Sequence, residues 1–325
     1  MPTIEMKNIR SITLYTGEKG PNKCICHCPC CSQTAKNSSY QGTIEQFVEL
    51  IGTTPNLKQL YILGNPDPCV DTSFCNLIAQ VAVSKGIHVC FSTSGAGGEK
   101  TMKQLLNGIL PDSVDYISFS IDSVRPEKMS MLKGISYPWA SALKGVEWCV
   151  RRGYTVRIQP TLWSSNFLEA GEIVSFFAEK GVRVFNFHIG SLESGVNLET
   201  HRHLTPEEIQ LVHMLLQLAA KRSRAKVTCP SIFVGYGKDD SSKWYCSHPE
   251  DSSQLLAFLR SDGIFVTNLP IAASLNDSLT HKISAETKSI KVVGSFSNDY
   301  CPFSQQLAGR PDTICRYVSQ NWDYR

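Results

Sequence analysis

Cysteines are concentrated in one short segment near the beginning of this sequence. Of the 13 cysteines in 325 residues, five lie between positions 24 and 31, and Cys24, Cys28 and Cys31 have the spacing CxxxCxxC. Three thiolates on one compact loop can hold three irons of a four-iron cluster and leave the fourth iron without a protein ligand. Because an open iron can bind a small-molecule cofactor, the spacing indicates chemistry that depends on both a cluster and a cofactor.

The same segment has the residues of a zinc site. Cys28 and Cys31 form a CxxC pair, and Cys26 or Cys30 could provide a further thiolate. Structural zinc sites usually bring a second, distant pair of ligands, and the sequence has no second CxxC. A zinc-binding protein without catalytic activity is therefore the alternative hypothesis for this segment.

The composition and charge of the whole chain exclude several classes of protein. Hydrophobic residues make up 42% and charged residues 19%, as in a globular protein rather than a disordered chain. The net charge is +3 and no run of five like charges occurs, so we expect neither a nucleic-acid nor a membrane partner. The sequence has no signal-peptide pattern and no apolar stretch of about 18 residues, which predicts a reducing, cytoplasmic location.

The elements that must position the cysteines alternate regularly. Short β-rich runs and amphipathic helical runs follow one another as far as about residue 220, which is typical of βαβ units. The six predicted strands are 11–15, 59–63, 88–92, 116–121, 155–159 and 183–188. We therefore predict an α/β fold whose parallel sheet stays open or curls into a partial barrel, with ligands at the carboxyl ends of the strands.

The pattern changes near residue 225. Three further predicted strands, 227–234, 255–266 and 290–296, lie in a background rich in Gly, Ser and Asp. We predict a core domain of residues 1–225 and a small C-terminal α+β extension of residues 226–325 that covers the substrate.

The cysteine spacing, placed after the first predicted strand, resembles that of the radical S-adenosylmethionine (SAM) superfamily. The resemblance implies a partial (β/α)6 barrel, a 4Fe-4S cluster held by Cys24, Cys28 and Cys31, and SAM at the open iron. Cys30 departs from the pattern, because members of the family often have an aromatic residue there that contacts the adenine. Further family features follow in order at later strand ends: Gly64-Asn65-Pro66-Asp67, Phe91-Ser92-Thr93-Ser94-Gly95, and Ser120-Ile121-Asp122 followed by Lys133-Gly134.

The resemblance also implies which residues bind the cofactor. An acidic side chain after the second strand would pair with the SAM amino group, and polar residues of the fourth strand would bind the ribose. Residues of the fifth strand would meet the SAM carboxylate or the substrate. The predicted cofactor-binding residues are Gly64, Asn65, Asp67, Ser92, Ser94, Ser120, Asp122, Arg157, Gln159 and His188.

Four of these residues have a plainer interpretation. Asp67 lies in a turn-forming sequence, and Asp122 could cap the helix that follows it. Arg157 could face solvent on an edge strand, and His188 could be a structural histidine.

The C-terminal extension resembles, in part, the SPASM or twitch tails that bind auxiliary iron–sulfur clusters in this superfamily. Asn268 stands where that pattern has a cysteine, and the dense terminal group of cysteines is absent. We therefore expect a degenerate tail without an auxiliary cluster. Its candidate catalytic residues are Cys301, Cys315 and Tyr300, as donors of a hydrogen atom to a substrate radical.

The resemblance implies an enzyme that reductively cleaves SAM to a 5′-deoxyadenosyl radical, which abstracts hydrogen from a substrate C–H bond. The electron would come from a one-electron donor such as flavodoxin or ferredoxin. Only 23 residues precede Cys24, too few for a leader-peptide-binding domain, so we expect a small metabolite or natural-product intermediate as substrate. A peptide-modifying radical SAM maturase is the alternative within the superfamily.

Overall fold

The structure is a computed structural model that describes residues 3–16, 24–28, 42–63, 67–190, 201–202, 204–230, 254–260, 263–268, 281–291 and 321–323. Within these ranges the α-helices are α1 (Ile44–Thr53), α2 (Thr72–Ser84), α3 (Gly98–Leu105), α4 (Pro126–Lys133), α5 (Trp139–Arg151), α6 (Ala170–Glu179) and α7 (Pro206–Ser223). The strands are β1 (Thr3–Glu5), β2 (Ser11–Tyr15), β3 (Gln59–Ile62), β4 (His88–Thr93), β5 (Val114–Phe119), β6 (Val156–Ile158), β7 (Thr161–Leu162), β8 (Val184–Asn186), β9 (His188–Ile189), β10 (Lys226–Pro230), β11 (Gln254–Arg260), β12 (Gly263–Asn268), β13 (His281–Ile283), β14 (Ser289–Lys291) and β15 (Asn321–Asp323).

One large sheet organises the fold. Its strands lie in the order β13-β12-β11-β2-β3-β4-β5-β6-β8-β10-β15. Neighbours from β11 to β10 pair in parallel, whereas β12, β13 and β15 join antiparallel at the two sides. The six predicted strands of the core are present as β2, β3, β4, β5, β6 and β8, so the predicted α/β fold with a parallel sheet is confirmed.

Alternation along the strands gives the sheet two chemically different faces. Ile117 and Phe119 of β5 are fully buried, in a core that also contains Phe177 of α6. Successive side chains of a strand point to opposite faces, so Ser118 of β5 and its register partner Arg157 of β6 lie on the other face. The apolar face packs against helices, and the polar face is left for ligands.

Two helices begin at the predicted capping boxes. Thr43 Oγ1 accepts a hydrogen bond from the backbone N–H of Gln46, and the Gln46 side chain accepts one from the backbone N–H of Thr43. Thr205 and Glu208 form the same reciprocal pair at the start of α7. None of the described helices is both long enough and apolar enough to cross a membrane.

The C-terminal strands extend the same sheet beyond residue 225. β10 pairs in parallel with β8, and β11 pairs in parallel with β2. The prediction of one strand over 255–266 is wrong, because β11 and β12 form an antiparallel hairpin in which Arg260 pairs with Gly263. Gly263 has a φ of 142°, which residues other than glycine rarely adopt, and this explains why the chain reverses there.

Candidate active site

The cysteine segment follows β2 along the chain, and its described part is residues 24–28. Cys26 is buried, with 3% of its surface exposed, whereas Cys24 and Cys28 are half-buried. The backbone N–H of Cys26 lies 3.4 Å from Sγ of Cys24, and the Cys26 thiol is hydrogen-bonded to the thiols of Cys24 and Cys28. Two predicted cluster ligands therefore lie around a third thiol to which the sequence assigned no role.

The cysteine segment is docked on the C-terminal end of α4. The backbone N–H of His27 donates to the carbonyl oxygen of Lys133 at 2.9 Å. Gly134 caps α4 with a left-handed φ of 63°. A Cβ at this position would lie 2.1 Å from the carbonyl oxygen of His27, so glycine is required both for the cap and for the approach of the cysteine segment.

Lys133 connects this docking point to two of the predicted site residues. Its Nζ lies 2.7 Å from Oδ2 of Asp122 and donates to Oγ of Ser120 at 3.0 Å. Burial alone would lower the pKa of Lys133, but the charge of Asp122 and its hydrogen bond to the ammonium reverse this effect and raise the pKa above its usual value. A charged ammonium is therefore enclosed between the cysteine segment and the carboxyl end of β5.

Asp122 is held by backbone and side-chain donors as well. Its Oδ1 accepts from the backbone N–H of Thr161 at 2.8 Å, and its carbonyl oxygen accepts from Nδ2 of Asn166 at 2.8 Å. The interpretation of Asp122 as a helix cap is wrong, because α4 begins after Arg125 with no side-chain cap. Asp122 instead joins the chain segments that follow β5 and β6 to the last turn of α4.

Cys26 and Cys28 hold their protons more tightly than ordinary thiols when no metal is bound. A hydrogen bond with Cys24, together with burial, raises the pKa of Cys26 to about 11. A hydrogen bond with Cys26 and then burial raise the pKa of Cys28, against the opposing effect of Lys133. Because thiolates are the metal-binding form, a metal would displace these protons, and the Lys133 ammonium would offset part of the new negative charge.

These residues fit a thiolate-bound iron–sulfur cluster. The potential ligands are sulfur atoms, which iron–sulfur clusters require, and the buried cation of Lys133 is close to them. The backbone contact between His27 and Lys133 anchors the segment without using the thiols. Within the described ranges, no set of three His, Cys, Asp or Glu side chains forms a ready metal cage. The third predicted ligand, Cys31, lies outside those ranges.

A second group of hydrogen bonds joins the ends of β3 and β4. The carboxylate of Asp67, which is 3% exposed, accepts from Oγ1 of Thr93 and from the backbone N–H of Ser94, both at 2.7 Å. It also accepts from the backbone N–H of Cys69 at 2.9 Å. Asp67 therefore fixes the loop after β4, and its contact with the SAM amino group stays a prediction.

The two predicted serines of β4 differ in their surroundings. Ser94 is buried in the loop after β4, where its Oγ accepts from the backbone N–H of Ala96 at 3.3 Å and its carbonyl accepts from the hydroxyl of Tyr137. Ser92 is half-buried and is the register partner of Ser118. Ser94 thus supports the loop, while Ser92 lies in the row of polar strand residues.

Arg157 and Gln159 lie on the polar face, well inside the sheet. β6 has β5 on one side and β8 on the other, so the interpretation as an edge strand is wrong. Nε of Arg157 donates to Oγ of Ser118 at 2.5 Å, and its Nη2 donates to Oε1 of Gln159 at 2.7 Å. The guanidinium carbon lies 3.7 Å from the centre of the Tyr116 ring, a cation–π contact that the sequence analysis missed.

His188 ends a short hydrogen-bonded row across β8 and β10. Its Nε2 lies 3.2 Å from Nδ2 of Asn186, and Oδ1 of Asn186 accepts from the hydroxyl of Thr228 at 2.7 Å. An amide nitrogen only donates, so Nε2 is the acceptor in this contact. This row sets the orientation of His188 at the carboxyl end of the sheet.

Six predicted site residues lie outside the described residues: Cys31, Gly64, Asn65, Tyr300, Cys301 and Cys315. Two residues that matter in the structure, Lys133 and Gly134, were recognised only as part of a sequence pattern. The sequence does contain a feature that points to them. Lysine followed directly by glycine is typical of a helix C-terminus. Their contacts with the cysteine segment join residues that are far apart in sequence.

Comparisons with known proteins agree on one fold. Residues 20–176 match the family model of the radical SAM superfamily. The crystal structure of Streptococcus suis SuiB bound to S-adenosylmethionine superposes with a TM-score of 0.63 at 14% identity, covering 85% of this chain and 63% of SuiB. Native anSMEcpe with bound AdoMet gives a TM-score of 0.60 at 13% identity, covering 86% of this chain and 78% of that one.

SuiB bound to its precursor peptide SuiA also superposes, with a TM-score of 0.63 at 13% identity, over 86% of this chain and 63% of SuiB. The chain thus spans less than two thirds of the length of SuiB. These likenesses confirm the predicted partial barrel. No curated protein matches the sequence.

Replacing Gly134 with alanine should displace the cysteine segment, because the added Cβ would collide with the His27 carbonyl. The matched control is Gly86→Ala, where φ is also positive, at 73°, but nothing lies within 4 Å of the new Cβ. The free energy of unfolding should fall by about 1 kcal/mol or more in both variants, because alanine is strained in a left-handed conformation. Only Gly134→Ala should also lose most of its iron binding after anaerobic reconstitution. Equal iron content in the two variants would contradict the docking.

Replacing Lys133 with methionine should destabilise the protein strongly, because it leaves the buried Asp122 carboxylate without its cation. We expect a loss of about 3–5 kcal/mol in the free energy of unfolding, measured by urea denaturation without metal. The double variant Lys133→Met, Asp122→Asn should recover most of the lost free energy of unfolding, because it removes the unpaired carboxylate as well. Lys103→Met, which removes the exposed partner of Glu99, is the control and should change the free energy of unfolding far less than Lys133→Met does. A similar cost for both lysines would refute a buried ion pair.

Proposed function

We propose that this chain is a radical SAM enzyme that acts on a C–H bond of its substrate, because residues 20–176 match the family model of the radical SAM superfamily. The observation that carries the proposal is the docking of the CxxxCxxC segment on the Lys133–Gly134 end of α4, beside the polar ends of the parallel strands. When bound, a 4Fe-4S cluster and SAM supply reductive cleavage of SAM to a 5′-deoxyadenosyl radical, which abstracts hydrogen from the substrate.

In this proposal Cys24, Cys28 and Cys31 hold the cluster. Cys26 is the most buried thiol of the described segment and is in hydrogen-bond contact with Cys24 and Cys28, two of the residues that would hold the cluster. Lys133 places a positive charge beside the thiolates, and its backbone carbonyl holds the segment through His27.

The strand ends would orient SAM. Ser120 and Asp122 stand beside the cysteine segment, and Asp122 is fixed there by Lys133 and by the backbone of Thr161. On the other side, Asp67 sets the position of the loop that contains Ser94. These contacts rigidify the groups that meet the cofactor, and rigid positioning is what control of a radical requires.

The protein must also keep water and solvent hydrogen atoms from the radical. The polar face of the sheet would hold the substrate, and we propose that residues 226–325 cover it as a degenerate tail without an auxiliary cluster. The hairpin of β11 and β12 lies beside β2, the strand that leads into the cysteine segment, which supports a role near the mouth of the barrel.

The substrate would be a small metabolite or natural-product intermediate. One observation supports the peptide alternative, since SuiB bound to its precursor peptide shares this fold over 86% of the chain. A one-electron donor such as flavodoxin or ferredoxin would reduce the cluster in either case.

The test combines anaerobically reconstituted protein with SAM and dithionite and measures bound iron and 5′-deoxyadenosine. Cys28→Ala should lose at least about tenfold in deoxyadenosine because one of three cluster ligands is gone. Cys149→Ala, which removes a buried thiol of α5 remote from the segment, is the control and should retain it. Zinc in the site under iron-replete conditions, with no deoxyadenosine formed, would refute the proposal.

A further inference from the structure

Arg157 is a positive charge held in the interior of the sheet. It occupies the middle of β6, and β5 and β8 flank that strand on its two sides. Its neighbours in the strand, Val156 and Ile158, are buried in the apolar core, so the Arg157 side chain lies on the opposite, polar face. Long charged side chains are costly to bury on a sheet unless they meet a partner.

The guanidinium of Arg157 is fixed in one orientation. It is hydrogen-bonded through Nε to Ser118, a residue with 0% exposed surface, and through Nη2 to Gln159. It also stacks over Tyr116, whose ring packs edge-on against Tyr61 with centroids 5.7 Å apart. An ordered guanidinium loses little further freedom when it binds a ligand.

These contacts leave the charge without a counter-ion among the described residues. Ser118, Gln159 and Tyr116 are all uncharged, and they engage two of the five N–H groups of the guanidinium. Asp115, the carboxylate of the neighbouring strand, is instead engaged by His88 at 3.0 Å and by Gln59 at 2.5 Å. The remaining N–H groups of Arg157 are suited to a planar or tetrahedral anion, which guanidinium binds in a bidentate manner.

Depth within the sheet separates this charge from the cofactor. The cation at the rim is Lys133, which contacts Ser120 directly after β5. Arg157 contacts Ser118, two residues earlier on the same strand, which corresponds to about 7 Å further from the rim. If the cofactor binds at the rim beside Lys133, an anion on Arg157 would lie deeper in the sheet than the cofactor, in the space that remains for a substrate.

We propose that the substrate carries an anionic group, a carboxylate or a phosphate, and that Arg157 binds it while Ser118 and Gln159 position the guanidinium. This inference rests on the proposed function, because it takes the polar face of the barrel as the substrate site. The anion anchors one end of the substrate deep in the barrel and leaves its other end at the rim, toward the radical.

The experiment uses the reconstituted protein with SAM at constant ionic strength, with inorganic phosphate and succinate as separate probes. Either phosphate or succinate should raise the unfolding temperature saturably, and the one that binds more tightly identifies the source of the anion. Arg157→Gln should weaken that binding at least tenfold while SAM affinity changes less than twofold.

A second variant tests the charge without removing the arginine. Gln159→Glu is nearly isosteric and gives Arg157 an internal carboxylate, so it should abolish anion binding in a protein that folds and still binds SAM. Arg183→Gln is the control, because Arg183 precedes β8 and donates to the backbone carbonyls of Ala178 and Val182. This variant should bind the anions as the unaltered protein does.

Three results would overturn the proposal. The first is that neither anion raises the unfolding temperature of the unaltered protein saturably. The second is that Arg157→Gln and Gln159→Glu both bind the anions as the unaltered protein does. The third is a tenfold loss of SAM affinity in Arg157→Gln, which would assign the arginine to the cofactor. Absence of iron and of deoxyadenosine in the unaltered protein is a different result, which refutes the proposed function itself.

Discussion

The candidate site depends on the close approach of two backbone segments that are more than 100 residues apart. The described residues of the cysteine segment, 24–28, have no regular secondary structure, so their position is set by what they contact. His27 binds the last carbonyl of α4, and Gly134 lets the segment lie closer than any side chain would permit. This contact places sulfur donors at the carboxyl end of the parallel strands, where ligands of such folds collect.

A buried ion pair connects that contact to the rest of the sheet. Lys133 and Asp122 are both almost fully enclosed, and such a pair is stable only where each charge has its partner and further hydrogen bonds. Here Ser120 accepts a hydrogen bond from the Lys133 ammonium, and the Thr161 amide donates one to the Asp122 carboxylate. The result is a rim in which α4, the end of β5 and the chain after β6 are mutually fixed. Two residues earlier along the strands lies the separate charge of Arg157, which contacts only neutral groups among the described residues.

The alternating pattern of the sequence was sufficient to predict the six core strands, both capping boxes and the α/β class, because these depend on local periodicity. It failed at 255–266, where a single glycine with positive φ turns one apolar run into a hairpin. The sequence motif identified the cysteines, but it could not show that Cys26 lies among them or that Lys133 is their neighbouring cation. Those contacts are tertiary, and so is the stacking of Arg157 on Tyr116.

The central claim is that the docked cysteine segment holds a cluster with one iron open to SAM. Electron paramagnetic resonance of the reduced, reconstituted protein with and without SAM tests it most directly, because a cofactor that binds the open iron changes the signal of the cluster. We predict a 4Fe-4S signal that shifts when SAM is added. A colourless zinc protein, or a cluster whose signal is indifferent to SAM, would contradict the claim.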